Sequence, residues 1–443
     1  MPLALFPEHT PPIHKPARNE HLTFKANREQ GRHGWLRLTP AYSVHLVNDL
    51  IAQCDPDALI LDPFCGTGTT ALVAAQLGRR CHTIDVNPFL VWLANAKCAT
   101  YSADEVAAAE AAMRDIVATI PHAANGHEQQ ASLWTPPIKD IHKWWDAETL
   151  QALAQVFAGV QQAPVNQRSR ALLLVSFCRV AIETAAVSFG HQSMSFKRPT
   201  ATPMPYTLFA ESAAERVANC FLRASADVVR SASESVGVEQ VNAGASQMGQ
   251  AFLGDARQVG ASLPGNPEAR YMTVITSPPY PNRMSYIREL RPYMYWLGYL
   301  TSGRAAGELD WQAIGGTWGC ATSNLTRWEP TITLPIPDPT FTETVARISQ
   351  RSPLLGAYVA KYFYDMTLHI QSLKPVLAPG AAVHYIVGNS RFYDVTLNTE
   401  RLYAAILADQ GFAHVAIEPL RKRTSKKDLF EFVVSATAPS HLF

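Results

Sequence analysis

Apolar residues in this chain come in short runs that end on acidic or proline-containing turns. The first run, Ala58-Leu59-Ile60-Leu61, stops at Asp62-Pro63. Four residues are too few for a helix, and an unbroken apolar run without alternation predicts a strand buried on both faces of a parallel sheet. Beyond Gly66-Thr67-Gly68, the alanine- and leucine-rich stretch from Thr69 to Leu77 predicts a helix, with Gly78 as its stop. Cys81 to Asp85 predicts a second strand that ends in a carboxylate. Strand, glycine-rich turn, helix, strand and acidic residue open a doubly wound nucleotide-binding sheet, so the expected fold class is α/β.

From about residue 103 to 245 the pattern turns helical. Ala103 to Ile120 is alanine-rich, Ala147 to Gln162 carries apolar positions at helical spacing, and Arg168 to Ser188 is a long apolar segment. Strand signals return at Phe252 to Asp255 and at Met272 to Thr276. After an excursion rich in glycine and proline, three more strands are predicted at Ala381 to Val387, Ala413 to Leu420 and Leu429 to Ala436. The last two flank the basic run from Arg421 to Lys427 as a hairpin would.

Gly66-Thr67-Gly68-Thr69-Thr70-Ala71 fits the relaxed dinucleotide pattern, so a nicotinamide oxidoreductase is one reading. Asp62 argues against it, because a carboxylate at the strand end repels a pyrophosphate. It suits a cofactor with an amino group and a positive charge, and S-adenosylmethionine has both. Asp85 is placed to accept from that cofactor's ribose, and Asp255 from its adenine amino group. The strand from Met272 ends in Thr276-Ser277-Pro278-Pro279-Tyr280. Two prolines lock their φ angles, and the turn presents a hydroxyl, backbone carbonyls and an aromatic face, which suits holding a flat aromatic amine.

Together these residues resemble the amino-methylating DNA methyltransferases, which modify the exocyclic nitrogen of cytosine or adenine, and in particular their Ser-Pro-Pro-Tyr subgroup. The resemblance covers roughly residues 30 to 100 and 250 to 443. His33-Gly34-Trp35 through Leu46-Val47 looks like the helix before the cofactor loop, and Leu373-Lys374-Pro375 with Pro379-Gly380 looks like the lead-in to the fifth strand. It implies a Rossmann-like class I S-adenosylmethionine-dependent methyltransferase sheet with a large helical insertion. It further implies that Asp62, Pro63, Phe64, Cys65, Gly66, Thr67, Gly68, Thr69, Asp85, Asn87, Asp255 and Ala256 hold the cofactor. Ser277, Pro278, Pro279 and Tyr280 would then be catalytic, with Tyr280 stacking on a flipped base. Serine at position 277 leans toward N4 of cytosine, with N6 of adenine the alternative. On this template residues 1–102 and 246–300 carry the cofactor loop and the catalytic turn, and 351–443 closes the domain. Residues 103–245 form the helical insertion and 301–350 a loop-rich one, each a candidate for DNA recognition or for scaffold. Methylation of RNA or of a protein glutamine uses related turns, and the serine and the inserts argue against it.

The 443 residues carry a net charge of only +1, so positive charge for double-stranded DNA has to be local. Candidate contacts are Arg283, Arg288 and Arg291 after the catalytic turn and Arg421, Lys422, Arg423, Lys426 and Lys427 in the hairpin, with further basic clusters at Arg28 to Arg37 and Lys197-Arg198. Each cluster also reads as a solvated face. Seven cysteines without a Cys-x-x-Cys pair disfavour a disulfide framework or a zinc site, so no metal is expected. The first residues lack a basic, apolar leader, and a cytoplasmic location without membrane association is expected. No Gly-Lys-Ser/Thr loop or nuclease-like constellation is evident, so a cognate restriction endonuclease would be a separate protein.

Overall fold

The computed structural model describes residues 19, 22–36, 38, 42–123, 133–188, 195–197, 211–234, 248–264, 270–282, 285–423 and 428–440. The chain enters through α1 (Val44–Ala52), β1 (Ile60–Asp62), α2 (Thr69–Gln76), β2 (Cys81–Asp85) and α3 (Pro88–Cys98). The helical stretch holds α4 (Ala103–Ala123), α5 (Ala147–Gln162), α6 (Gln167–Glu183) and α7 (Ala213–Ser233), with a small ribbon of β3 (Val187–Ser188) and β4 (Ser195–Phe196). There follow β5 (Gly249–Leu253), α8 (Val259–Ser262), β6 (Tyr271–Thr276), α9 (Tyr286–Trp296), α10 (Gly303–Gln312), α11 (Cys320–Leu325), α12 (Phe341–Arg351) and α13 (Pro353–Leu373). The chain then closes through β7 (Leu377–Gly388), the ribbon of β8 (Ser390–Phe392) and β9 (Val395–Leu397), α14 (Thr399–Asp409), β10 (Ala413–Lys422) and β11 (Phe430–Thr437).

Seven strands form one sheet in the order β10-β11-β7-β6-β1-β2-β5. From β7 to β5 the neighbours are parallel, whereas β11 runs antiparallel to both β7 and β10. This is the expected α/β, Rossmann-like sheet. The chain first builds outward through β1, β2 and β5, then returns to place β6 on the other side of β1. The order therefore reverses between β1 and β6, and in open α/β sheets the crevice beyond the strand ends at such a point is where ligands bind.

Helices cover both sheet faces, which is why β1 is buried at every position and reads as a continuous apolar run. One apolar core joins the sheet to α13 and α14 through Val274, Tyr362, Phe363, Val383 and Tyr403. A second joins α3, α9 and the helices from α4 to α7, so the helical insertion shares its interior with Phe89, Leu93, Ile287 and Met294. Trp296 sits at its centre, with Trp145 and Phe177 set edge to face against it. Burial of this kind contributes roughly 1.5 to 3 kcal/mol for each large side chain.

Arg32 ties the pieces together. Its guanidinium donates to Lys97 O and Ala99 O at the end of α3, and to Ser231 O, Ala232 O and Glu234 O at the end of α7, at 2.5–3.1 Å. The last carbonyls of a helix have no partner within it, and a cation satisfies them and the negative end of the helix dipole together. The basic cluster at the start is thus partly interior, since Arg32 and His33 are buried while Arg28 is exposed.

Three expectations change. The segment from His33 to Val47 contains a 3-10 turn at Gly31–Gly34 and only then α1, not one helix. The stretch from 301 to 350 is built from α10, α11 and α12, and Ile314, Leu325 and Ile348 anchor it in the core beside the sheet. Pro379-Gly380, expected ahead of the strand at Ala381, lies within β7, which begins at Leu377 directly after a 3-10 turn at Lys374–Val376. No helix among the described residues is long and apolar enough to cross a membrane.

Candidate active site

The loop after β1 and the turn after β6 meet over the reversal point, and a cavity of about 330 Å³ opens between them. Pro63, Phe64, Cys65 and Gly66 line one end with Asp85, Asn87, Asp255 and Ala256, and Ser277, Pro278, Pro279 and Tyr280 line the other. Residues more than two hundred positions apart converge because β1 and β6 are neighbours in the sheet.

Asp62 holds the two strand ends together. Its Oδ1 accepts from Thr276 Oγ1 at 2.6 Å and from Phe64 N at 3.1 Å, and its Oδ2 from Thr70 Oγ1 at 2.5 Å and Tyr42 OH at 3.4 Å. It was expected to face the cofactor. It lies fully buried behind the loop instead, because four internal donors already occupy the carboxylate. Burial pushes its pKa up to about 6, against the pull of those hydrogen bonds.

The second half of the glycine loop also turns inward. Gly68 has φ +76°, and an added Cβ would stand 2.7 Å from Ala94 Cβ, so only glycine lets α2 start this close to α3. Thr67 and Thr69 are buried, and the buried Lys97 donates from Nζ to Thr67 O at 3.0 Å. Thr67, Gly68 and Thr69 thus shape the loop without lining the cavity.

Asp85 reaches back to the loop, accepting from Gly66 N at 3.0 Å and from Asn87 N at 2.9 Å. Burial is the main cause that pushes its pKa up to about 7. Asn87 caps α3 by accepting from Phe89 N at 3.0 Å. Asp255 is gripped by Arg257, whose Nη2 stands 2.7 Å from Oδ2 and whose Nη1 also reaches the buried Asp365.

The Ser277-to-Tyr280 turn is held from three sides. Ser277 Oγ donates to Ile386 O at 3.2 Å, Tyr362 OH donates to Pro279 O at 2.7 Å, and Tyr280 OH donates to Glu431 Oε1 at 2.6 Å. No hydrogen bond among the described residues engages the Pro278 carbonyl, and Pro278 lines the cavity. Glu431 carried a signal in the sequence, a carboxylate between Phe430 and Phe432 in a buried strand. Tyr42, Tyr362 and Arg257 carried none, since only the tertiary fold brings them to the site.

The expected phosphate contacts divide. Arg288 is exposed on α9. Arg291 is not a free cation, for its guanidinium lies 4.9 Å from the Trp144 ring and 5.6 Å from Trp318, and burial lowers its pKa to about 10. Arg421 turns inward to Glu431 Oε2 at 2.7 Å, and Arg423 lies over the Tyr280 ring at 4.8 Å, so neither projects from the hairpin tip. Lys422 pairs with Asp428 at 3.3 Å. Arg37, Arg198, Arg283, Lys426 and Lys427 lie outside the described residues.

Residues 20–96, which include α1, the loop and Asp85, match a family described as DNA methylase. The Type II methyltransferase M.BsoBI of Geobacillus stearothermophilus is 39% identical over 69 residues, which are 15% of this chain and 14% of that protein. The Type II methyltransferases M.AvaI of Nostoc sp. and of Anabaena variabilis are 32% identical over 78 residues, 17% of this chain and 16% of theirs. These alignments therefore span less than a fifth of the relatives' own length. Among solved structures, the rRNA methyltransferase aviRa from Streptomyces viridochromogenes aligns over 90% of this chain and 87% of its own at 13% identity. Its TM-score of 0.28 is too low to carry an argument. The family match falls on the loop and strand end that frame one half of the cavity, so over residues 20–96 the chain is similar to the DNA methylases.

Proposed function

We propose that this protein transfers a methyl group from S-adenosylmethionine to the exocyclic N4 amine of cytosine in duplex DNA. The observation that carries the reading is the single cavity onto which both the Pro63-to-Gly66 loop and the Ser277-to-Tyr280 turn open. The donor set at the loop end fits the cofactor, with Asp85 and Asp255 supplying carboxylate oxygens and Phe64 and Leu90 apolar surface. Bound there, S-adenosylmethionine supplies an electrophilic methyl group.

The turn prepares the nucleophile. An exocyclic amine is a poor one because its lone pair is delocalised into the ring. A carbonyl only accepts, so the Ser277 hydroxyl must spend its hydrogen on Ile386 O and keep its lone pairs for an amine hydrogen. The Pro278 carbonyl accepts the second hydrogen, and Tyr280 offers its ring to the flipped base. Drawing both hydrogens aside turns the nitrogen toward tetrahedral geometry, and the rest is positioning and electrostatics. Serine at position 277 supports cytosine. The implied partner is a restriction endonuclease encoded separately, and the implied location is the cytoplasm.

The test is incubation with a labelled methyl donor and duplex DNA, followed by digestion to nucleosides. The label is expected in N4-methylcytosine, and Ser277→Ala should lower turnover by roughly 10²-fold or more while cofactor affinity is kept. Label in N6-methyladenine would move the acceptor to adenine, and absence of labelled DNA would reject the reading.

A further inference from the structure

We infer that Glu431 is a positioning residue that fixes the plane of Tyr280 against the accepted base. The inference rests on the target pocket proposed above, in which Tyr280 is the stacking ring. Tyr280 follows two prolines that lock their own φ angles, so the turn by itself does not fix the plane of the Tyr280 ring. That restraint comes from the C-terminal hairpin, 151 residues further along the chain. Glu431 is buried, and strand register sets it opposite Arg421 on one side and Gly388 on the other. Its Oε1 accepts from the Tyr280 hydroxyl at 2.6 Å and its Oε2 from Arg421 Nε at 2.7 Å.

Each neighbour removes one freedom of the ring. Arg421 supplies only donors, so it orients the carboxylate, and the carboxylate in turn leaves the phenol no role but donor. Arg423 lies 4.8 Å from the ring centroid and donates to Asn389 O at 2.9 Å, which fixes the guanidinium in place. The approach depends on Gly388, where an added Cβ would stand 2.9 Å from Tyr280 Cε2 and 2.5 Å from Arg423 Nη1. One ring face is therefore backed by a planar cation and the hydroxyl is anchored. A buried carboxylate is costly unless its oxygens are engaged, and here each has a partner of its own. The hairpin's arginines thus serve the catalytic turn.

The test compares Glu431→Ala, Glu431→Gln and Tyr280→Phe with the unaltered protein in steady-state methylation of duplex DNA and in calorimetry with S-adenosylmethionine. Glu431→Ala should lower kcat by about tenfold or more with the KM for DNA and cofactor affinity within about twofold, since loose positioning costs rate rather than binding. Glu431→Gln keeps an oxygen that accepts from the phenol and should recover most of that loss. In the Tyr280→Phe background, Glu431→Ala should add less than about twofold, because the two act through one hydrogen bond. An unchanged kcat in Glu431→Ala, or losses that multiply in the double variant, would overturn the inference while leaving the methyltransferase reading intact. An unaltered protein that methylates no DNA would overturn that reading first. Should Glu431→Ala not fold, Tyr280→Phe carries the same question, and an unchanged kcat there counts against the inference.

Discussion

Single residues at this site act through what they accept. Asp62 and Asp85 end adjacent parallel strands, yet four internal donors hold the first behind the loop while the second faces the cavity. Asp85, with its pKa pushed up to about 7, is neutral well below that pH and gains charge as pH rises through it. Ionised, it can accept ribose hydroxyls with both oxygens; protonated, it loses part of that capacity. Affinity for S-adenosylmethionine should therefore tighten between about pH 6 and about pH 8, with a limiting slope of about one decade per pH unit. Calorimetry across that range checks it, and Asp85→Asn should give a flat, weaker profile. A wild-type profile that is equally flat would remove Asp85 from cofactor binding.

At the scale of elements, the joints are made by cations and aromatic rings. Arg32 closes the ends of α3 and α7 with five backbone acceptors, so Arg32→Met would leave those carbonyls without their donor, three of them on the buried residues Lys97, Ser231 and Ala232. Destabilisation of about 3 to 5 kcal/mol is expected, read as an earlier denaturation midpoint in urea. Strand and helix positions near these joints were legible beforehand. Ala147–Gln162 and Cys81–Asp85 fall where apolar spacing puts them, because local periodicity and capping residues act over a few turns of chain. The helical content of residues 301 to 350 was hidden by its glycines and prolines. Those helices form by docking Ile314, Leu325 and Ile348 against α13, a contact that local pattern does not encode.

For the whole molecule, a net charge of +1 means that the proposed attraction to DNA would rest on a few exposed groups. The inward turn of Arg421 and Arg423 changes what their removal should do. Their loss is expected to lower turnover while leaving the salt dependence of DNA affinity nearly as it was, whereas Arg288→Ala should shallow the slope of log K against log salt by about one unit. Fluorescence anisotropy over a salt series measures both. A slope that falls by about two units in the Arg421→Ala, Arg423→Ala pair would return these arginines to the phosphate backbone.

What the sequence determined by itself were the features written in adjacent residues. These were the strand that ends at Asp62, the glycine loop, the carboxylate at Asp85 and the proline-locked turn at Ser277 to Tyr280. Their chemistry follows from residue type and spacing, so family and fold class could be argued from them. The tertiary structure decided which of these groups face the cavity and which hold it together. Asp62 and Thr67 to Thr69 turned inward, while Glu431, Arg421 and Arg423 came to the Ser277-to-Tyr280 turn. The reason is physical: strand order sets β1 beside β6 and β11 beside β7, and a hydrogen bond between residues 151 positions apart leaves no trace in local pattern.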